Sequence, residues 1–142
     1  MSARTFALWF GIAYLGAGIL GFVPAALRPM PEAGDLAVTA FSGYLLGLFP
    51  VNFLHSLVHI AAGAWGIAAS RSMGGARAWS KTMAVVFGLV TIMGLIPGLN
   101  TVFGLMPIHG HDVWLHGAFA ILAAWFGWRG AIEPAARAKA AR

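Results

Sequence analysis

The chain is 142 residues long, 60% apolar and only 9% charged, with Lys+Arg 9, Asp+Glu 4 and no cysteine. A soluble domain carries about 25% charged residues, so an ordinary soluble domain and a disordered chain are excluded, and an integral membrane protein is the default. The lack of cysteine excludes a disulfide scaffold, a cysteine nucleophile and a thiolate-held iron–sulfur or zinc site. The net charge of +5 is explained by positive residues at span ends and gives no reason to invoke nucleic acid.

A spanning helix needs about 20 mostly apolar residues. The first such run is Thr5 to Val23, preceded by Arg4 and closed by Pro24. It is longer than the roughly 7–15 residues of a signal-peptide core and reads as a true span. The segment Leu36 to Phe49 is apolar but too short to cross, which predicts an interfacial or re-entrant helix ending at Pro50. The second span runs over 50–69, closed by Ser70 and Arg71, and the third over 78–96, with Lys81 snorkelling outwards and Pro97-Gly98 ending it. The stretch Ile96 to His111 has no Lys, Arg, Asp or Glu and is broken by Pro97, Gly98, Gly104, Pro107 and Gly110. A loop this apolar is expected to fold back over the bundle mouth as a cap. The fourth span runs over 112–128 and stops at Arg129, leaving a basic tail over 131–142. The expected architecture is therefore all-α, one integral membrane four-helix bundle.

Lys and Arg set the orientation. With the N-terminus inside, Arg4, Arg71, Arg77, Lys81, Arg129, Arg137, Lys139 and Arg142 are cytoplasmic and only Arg28 lies outside, a strong positive-inside bias. Both termini are then cytoplasmic, and the tail is a solvated or lipid-headgroup-touching segment.

That orientation puts all five histidines at the extracytoplasmic side, in two windows. Asn52, His55 and His59 are spaced three and four apart on one face of helix 2, and Gly63 and Gly66 continue the stripe. Asp112 and His116 are four apart on helix 4, where Ala120, Ala123 and Gly127 extend their face. At a rise of about 1.5 Å per residue, His55 and His116 lie at matching depth, roughly 6–8 Å in. The small residues below them are expected to let helices 2 and 4 approach closely.

Two imidazoles at i, i+4 with a third and a carboxylate from a facing helix make a set of N/O ligands suited to zinc, iron or copper. A haem or chlorophyll-type tetrapyrrole stands behind a bare ion, since it needs opposed rings across a gap of about 10 Å. The competing readings are histidines that only hydrogen-bond and a proton relay without metal. On the metal reading His55, His59 and His116 are ligands. Asp112 is a ligand or orients His116, Asn52 positions water or Asp112, and His111 is a supporting residue beside the set or, like His109, an exposed loop residue. Asn52 and Asp112 are also candidates to cap helices 2 and 4. Elsewhere, Gly11, Tyr14, Gly18 and Gly21 read as a packing seam on helix 1 with the Tyr hydroxyl bonded internally. Gly43/Gly47 and Gly94/Gly98 match small-xxx-small, and the six tryptophans read as an aromatic belt at the span ends. Thr91 is expected to bond across the bundle or to its own backbone.

The patterns FPVN..H..VH....G and DVWLHG, on spans two and four of a small four-span chain, resemble the bacterial domain-of-unknown-function family 4383. The resemblance runs from about Gly43 to Gly127 and is carried by Pro50, Val51, Asn52, His55, His59, Gly63, Asp112, Leu115 and His116. The family pattern has Asn where this chain has Ser56. The resemblance implies a bacterial inner-membrane protein of that topology and assigns no activity. A small metal-binding protein is the leading expectation, partnered by the bilayer and by a homo-oligomer or a larger membrane complex. An enzyme, as a metal-dependent hydrolase or redox protein, is the weaker reading, because no spare carboxylate lies near to act as base.

Overall fold

The computed structural model describes the backbone of residues 1–140 and the side chains of residues 1–129. Four helices carry the fold: α1 Ala3–Leu20, α2 Phe53–Ala69, α3 Met73–Leu95 and α4 His111–Ala140. Three of them start where a short polar side chain replaces the first missing intrahelical acceptor. Ser2, Asn52 and Ser72 each accept from the backbone N–H three residues on. α1 and α3 are each long and apolar enough to cross a membrane, while α2 is apolar but 17 residues long. The tail expected over 131–142 lies outside the residues whose side chains are described.

The segment expected as an interfacial helix is extended instead. Gly43–Leu45 (β2) pairs antiparallel with both Leu27–Arg28 (β1) and Phe49–Val51 (β3) in a small sheet ordered β1-β2-β3. An apolar run this short cannot be assigned to helix or strand by periodicity alone. Two local features decide it. Leu46 and Gly47 turn the chain at φ 52° and 76°, and a Cβ at Gly43 would meet the Arg28 carbonyl oxygen at 2.9 Å. Pro50, which cannot donate to a ladder, sits in the edge strand β3. As a result α2 begins at Phe53 rather than at Pro50.

The glycine seam of α1 is present, and it faces α2. A Cβ at Gly11 would meet Ile67 N at 2.8 Å, one at Gly18 Ser56 O at 2.6 Å, and one at Gly63 Gly11 O at 2.7 Å. α3 and α4 form the second close pair, where a Cβ at Gly127 would lie 2.9 Å from Lys81 Cγ. The expected close approach of α2 to α4 is therefore corrected. Their small residues serve the α1/α2 and α3/α4 seams, and the space between α2 and α4 holds imidazole rings instead of a backbone contact. Gly43, Gly47 and Gly98 lie in the hairpin and loops and make no helix–helix motif.

The core joins Phe6, Ala7, Tyr14, Ala62, Trp79, Met83, Phe87, Ala123 and Phe126. Trp79 belongs here and not to a surface belt. It is buried, and its indole N–H donates to the Ala62 carbonyl at 3.0 Å. Trp9, Trp65, Trp114, Trp125 and Trp128 are exposed. The Ile96–His111 segment folds back as a cap, with Pro107 and Ile108 buried and the Gly104 carbonyl accepting from Ala37 N at 2.8 Å.

Candidate metal centre

The N-terminal turns of α2 and α4 bring three imidazoles together beneath the sheet and the capping loop. His55 and His59, one turn apart on α2, have ring centroids 4.6 Å apart. His116 of α4 closes the triangle at 5.8 Å from His55 and 6.2 Å from His59. One ring nitrogen from each can be chosen so that all three lie within 4.8 Å of one another. Aromatic walls fix the rings, because Phe87 stacks on His116 at 5.0 Å and Tyr14 meets His59 edge-on at 5.3 Å.

Asp112 is buried next to this triangle. Its Oδ2 lies 3.3 Å from His116 Nδ1, one helical turn away, and 3.9 Å from His55 Nε2. Its place in the first turn of α4 suits a carboxylate, because the helix dipole favours negative charge there. The contact with His116 is close without hydrogen-bond alignment. Buried polar atoms therefore accumulate without partners among the described residues: His55 Nδ1, both nitrogens of His59, His116 Nδ1 and Asp112 Oδ2, with Tyr14 Oη beside them. Each unsatisfied buried polar group costs about 1–3 kcal/mol, so a concentration of this kind is what a ligand set presents before its ion is added.

The donor set fits a transition metal. Imidazole nitrogens around a tetrahedral zinc stand about 3.3 Å apart at bond lengths of about 2.0–2.1 Å. The three nitrogens already lie within 4.8 Å of one another, so an ion would draw them closer together.

Asn52 takes the cap position offered for it on α2. Its Oδ1 caps α2 by accepting from His55 N at 2.9 Å, and its Nδ2 donates to the carbonyls of Val38 at 2.8 Å and Leu105 at 2.7 Å. Both amide protons are used, so Asn52 ties the two outer loops to α2 and has no donor left for Asp112. His111 opens α4 on the exposed side, apart from the triangle, and His109 packs against Tyr44 at 6.1 Å. Asp112 lies inside the first turn of α4 and does not cap it. Thr91 bonds its own backbone, donating to Phe87 O at 2.6 Å.

Tyr14 is the site neighbour the sequence did not reveal. Its hydroxyl, expected to be bonded internally, has no partner among the described residues, and it lines the same cleft as Asp112. The only signal was its position on the small-residue stripe of helix 1.

The family model for a domain of unknown function, DUF4383, matches residues 4–129. The chain belongs to this family. No curated protein and no solved structure matches it.

Proposed function

We propose that this protein is a four-span inner-membrane protein that binds one transition-metal ion, zinc, iron or copper, near its extracytoplasmic surface through His55, His59 and His116. The observation that carries the reading is the convergence of three buried imidazoles whose ligand atoms lie within 4.8 Å of one another. Hydrogen bonding alone does not account for the cluster, because neither nitrogen of His59 has a partner among the described residues. A tetrapyrrole fits less well than a bare ion. It needs two opposed rings with a flat slot between them, and here a third imidazole stands in the same space.

Asp112 acts on His116 in this reading. A metal-ligating histidine donates its other ring N–H to a carboxylate or carbonyl, which fixes its tautomer and raises its basicity. Asp112 Oδ2, 3.3 Å from His116 Nδ1, is near enough to take that role once the two groups realign. With Asp112 engaged, no second carboxylate lines the site among the described residues. This favours binding, or service as a subunit of a membrane complex, over hydrolysis.

The apolar length of α1 and α3 and the positive-inside charge pattern support the membrane topology. The site is tested by metal analysis of single and double variants. His55→Ala, His59→Ala or His116→Ala should each remove most bound metal, and His55→Ala/His116→Ala should be little worse. His109→Ala should retain it. Stoichiometric metal in the double variant would refute the reading.

A further inference from the structure

A cleft of about 360 Å³ opens between α1 and α4 beneath the β2–β3 hairpin. That volume lies in the usual range of small-ligand sites, about 300–1,000 Å³. Its walls are almost wholly apolar, from residues such as Ile12, Ala17, Leu45 and Leu115, and its inner end is formed by Tyr14, His59 and Asp112. These three are buried, and each carries a polar atom without a hydrogen-bond partner among the described residues: Tyr14 Oη, both His59 nitrogens and Asp112 Oδ2. The mouth is flanked by the exposed side chains of Ile12, Leu20 and Leu46. The α1 and α4 backbones stand farther apart than those of α1 and α2, and the aromatic contacts Phe6–Phe126, Phe10–Phe119 and Tyr14–Phe119 bridge them below the cleft. If α1 crosses the bilayer, the opening looks into acyl chains and not into water.

We propose that this cleft admits, from the lipid phase, a neutral apolar molecule carrying a hydroxyl group, which it places against Tyr14 and Asp112. The ligand class follows from the inner end. A hydroxyl both donates and accepts, so it can donate a hydrogen bond to Asp112 Oδ2, whose second lone pair stays free beside His116, while accepting from Tyr14 Oη. A carboxylate would meet the like charge of Asp112. An ammonium would have to shed its hydration along an apolar wall, at a large cost. A plain hydrocarbon would leave every one of these polar atoms unpaired. The shared chemistry is a hydroxyl on an apolar body, with a phenol or quinol and an aliphatic alcohol as its two sources. The proposal deepens the metal-site reading, since His59 and Asp112 belong to both, but the recognition by Tyr14 and Asp112 does not require the ion.

The test uses the full chain in lipid vesicles, labelled by 4-octylphenol bearing a diazirine in its tail, with metal content measured on the same samples. Crosslinks should map to 12–20 of α1 and to the facing part of α4. Unlabelled 4-octylphenol should compete about tenfold better than octylbenzene, the equivalent of one hydrogen bond to a buried partner. Octanoate should compete poorly. Decanol in place of the phenol identifies which source is preferred. Gly16 lines the cleft, and a Cβ there would find nothing within 4 Å. Gly16→Phe should therefore abolish labelling without loss of thermal stability or metal. Tyr14→Phe should lose the preference for hydroxyl over hydrocarbon while leaving octylbenzene competition unchanged.

Labelling that is indifferent to the hydroxyl, or that survives Gly16→Phe, overturns the proposal even when the metal is present. Hydroxyl-selective labelling in a protein that holds no metal upholds it and removes the metal reading instead.

Discussion

A single methyl group at Gly63 tests the packing that presents the site. Gly63 continues the His55/His59 face of α2, and its Cα lies against the backbone of α1. A Cβ built there would collide with Leu15 N and stand 2.7 Å from Gly11 O and 2.8 Å from Leu15 Cα. Ordinary carbon contacts lie at about 3.5–4.0 Å, so Gly63→Ala must part the two helices by roughly 1 Å. Backbone atoms cannot rotate away as a side chain would. Helix propensity alone predicts the opposite, because Ala is better than Gly in a helix interior by roughly 0.5–1 kcal/mol. Overpacking costs typically about 1–3 kcal/mol, so the net sign should be destabilising, with a fall of several degrees in apparent melting temperature. Gly74→Ala is the matched control. A Cβ there meets nothing within 4 Å, and that variant should be neutral or slightly stabilised. Thermal denaturation of detergent-solubilised protein, read on both variants, makes the comparison. Gly63→Ala as stable as Gly74→Ala would mean that this face of α2 looks at lipid, and the placement of His59 beside Tyr14 would fall with it.

Asn52→Asp should destabilise at least as much as Asn52→Ala in the same assay, although Asp is an equally good helix cap. The carboxylate would face the Val38 and Leu105 carbonyls that Nδ2 now serves, and unsatisfied buried groups cost about 1–3 kcal/mol each. Trp79→Phe should cost about 1 kcal/mol for the lost bond to Ala62 O, with fluorescence showing the loss of a buried indole. Asp112→Asn should lower metal affinity by about 10–100-fold yet leave the ion bindable in equilibrium titration; no change at all would separate Asp112 from the site. Because the chain has no cysteine, single cysteines report topology directly. His111→Cys should react with an impermeant maleimide from outside intact cells, and Gly74→Cys only after lysis; the reverse pattern would put the site on the cytoplasmic side.

The grouping of His55, His59 and His116 was legible because helical spacing and span depth are both simple functions of residue number. The cap at Asn52 and the fold-back of the 96–111 loop follow from equally local chemistry. What escaped depends on contacts between distant segments. The hairpin over 43–51 needed the left-handed turn at Leu46-Gly47 and the close approach of Gly43 to Arg28, neither of which shows in an apolar run. The partner of the glycine stripe on α2 could not be read either, since small residues announce a close neighbour without naming it. The stripe met α1, and the imidazoles filled the space toward α4. Asn52 and Tyr14 show the limit for polar groups. Both stood out as residues, but the loop carbonyls that Asn52 binds and the cleft that Tyr14 ends lie far away along the chain.

The most direct measurement is metal content together with X-ray absorption on wild-type protein purified from cells supplied with zinc, iron and copper. One ion per chain, with three imidazole nitrogens at about 2.0–2.1 Å if the metal is zinc, is the expected result. Protein that carries no stoichiometric metal under those conditions, or a metal shell without imidazole, would contradict the assignment of His55, His59 and His116 as its ligands.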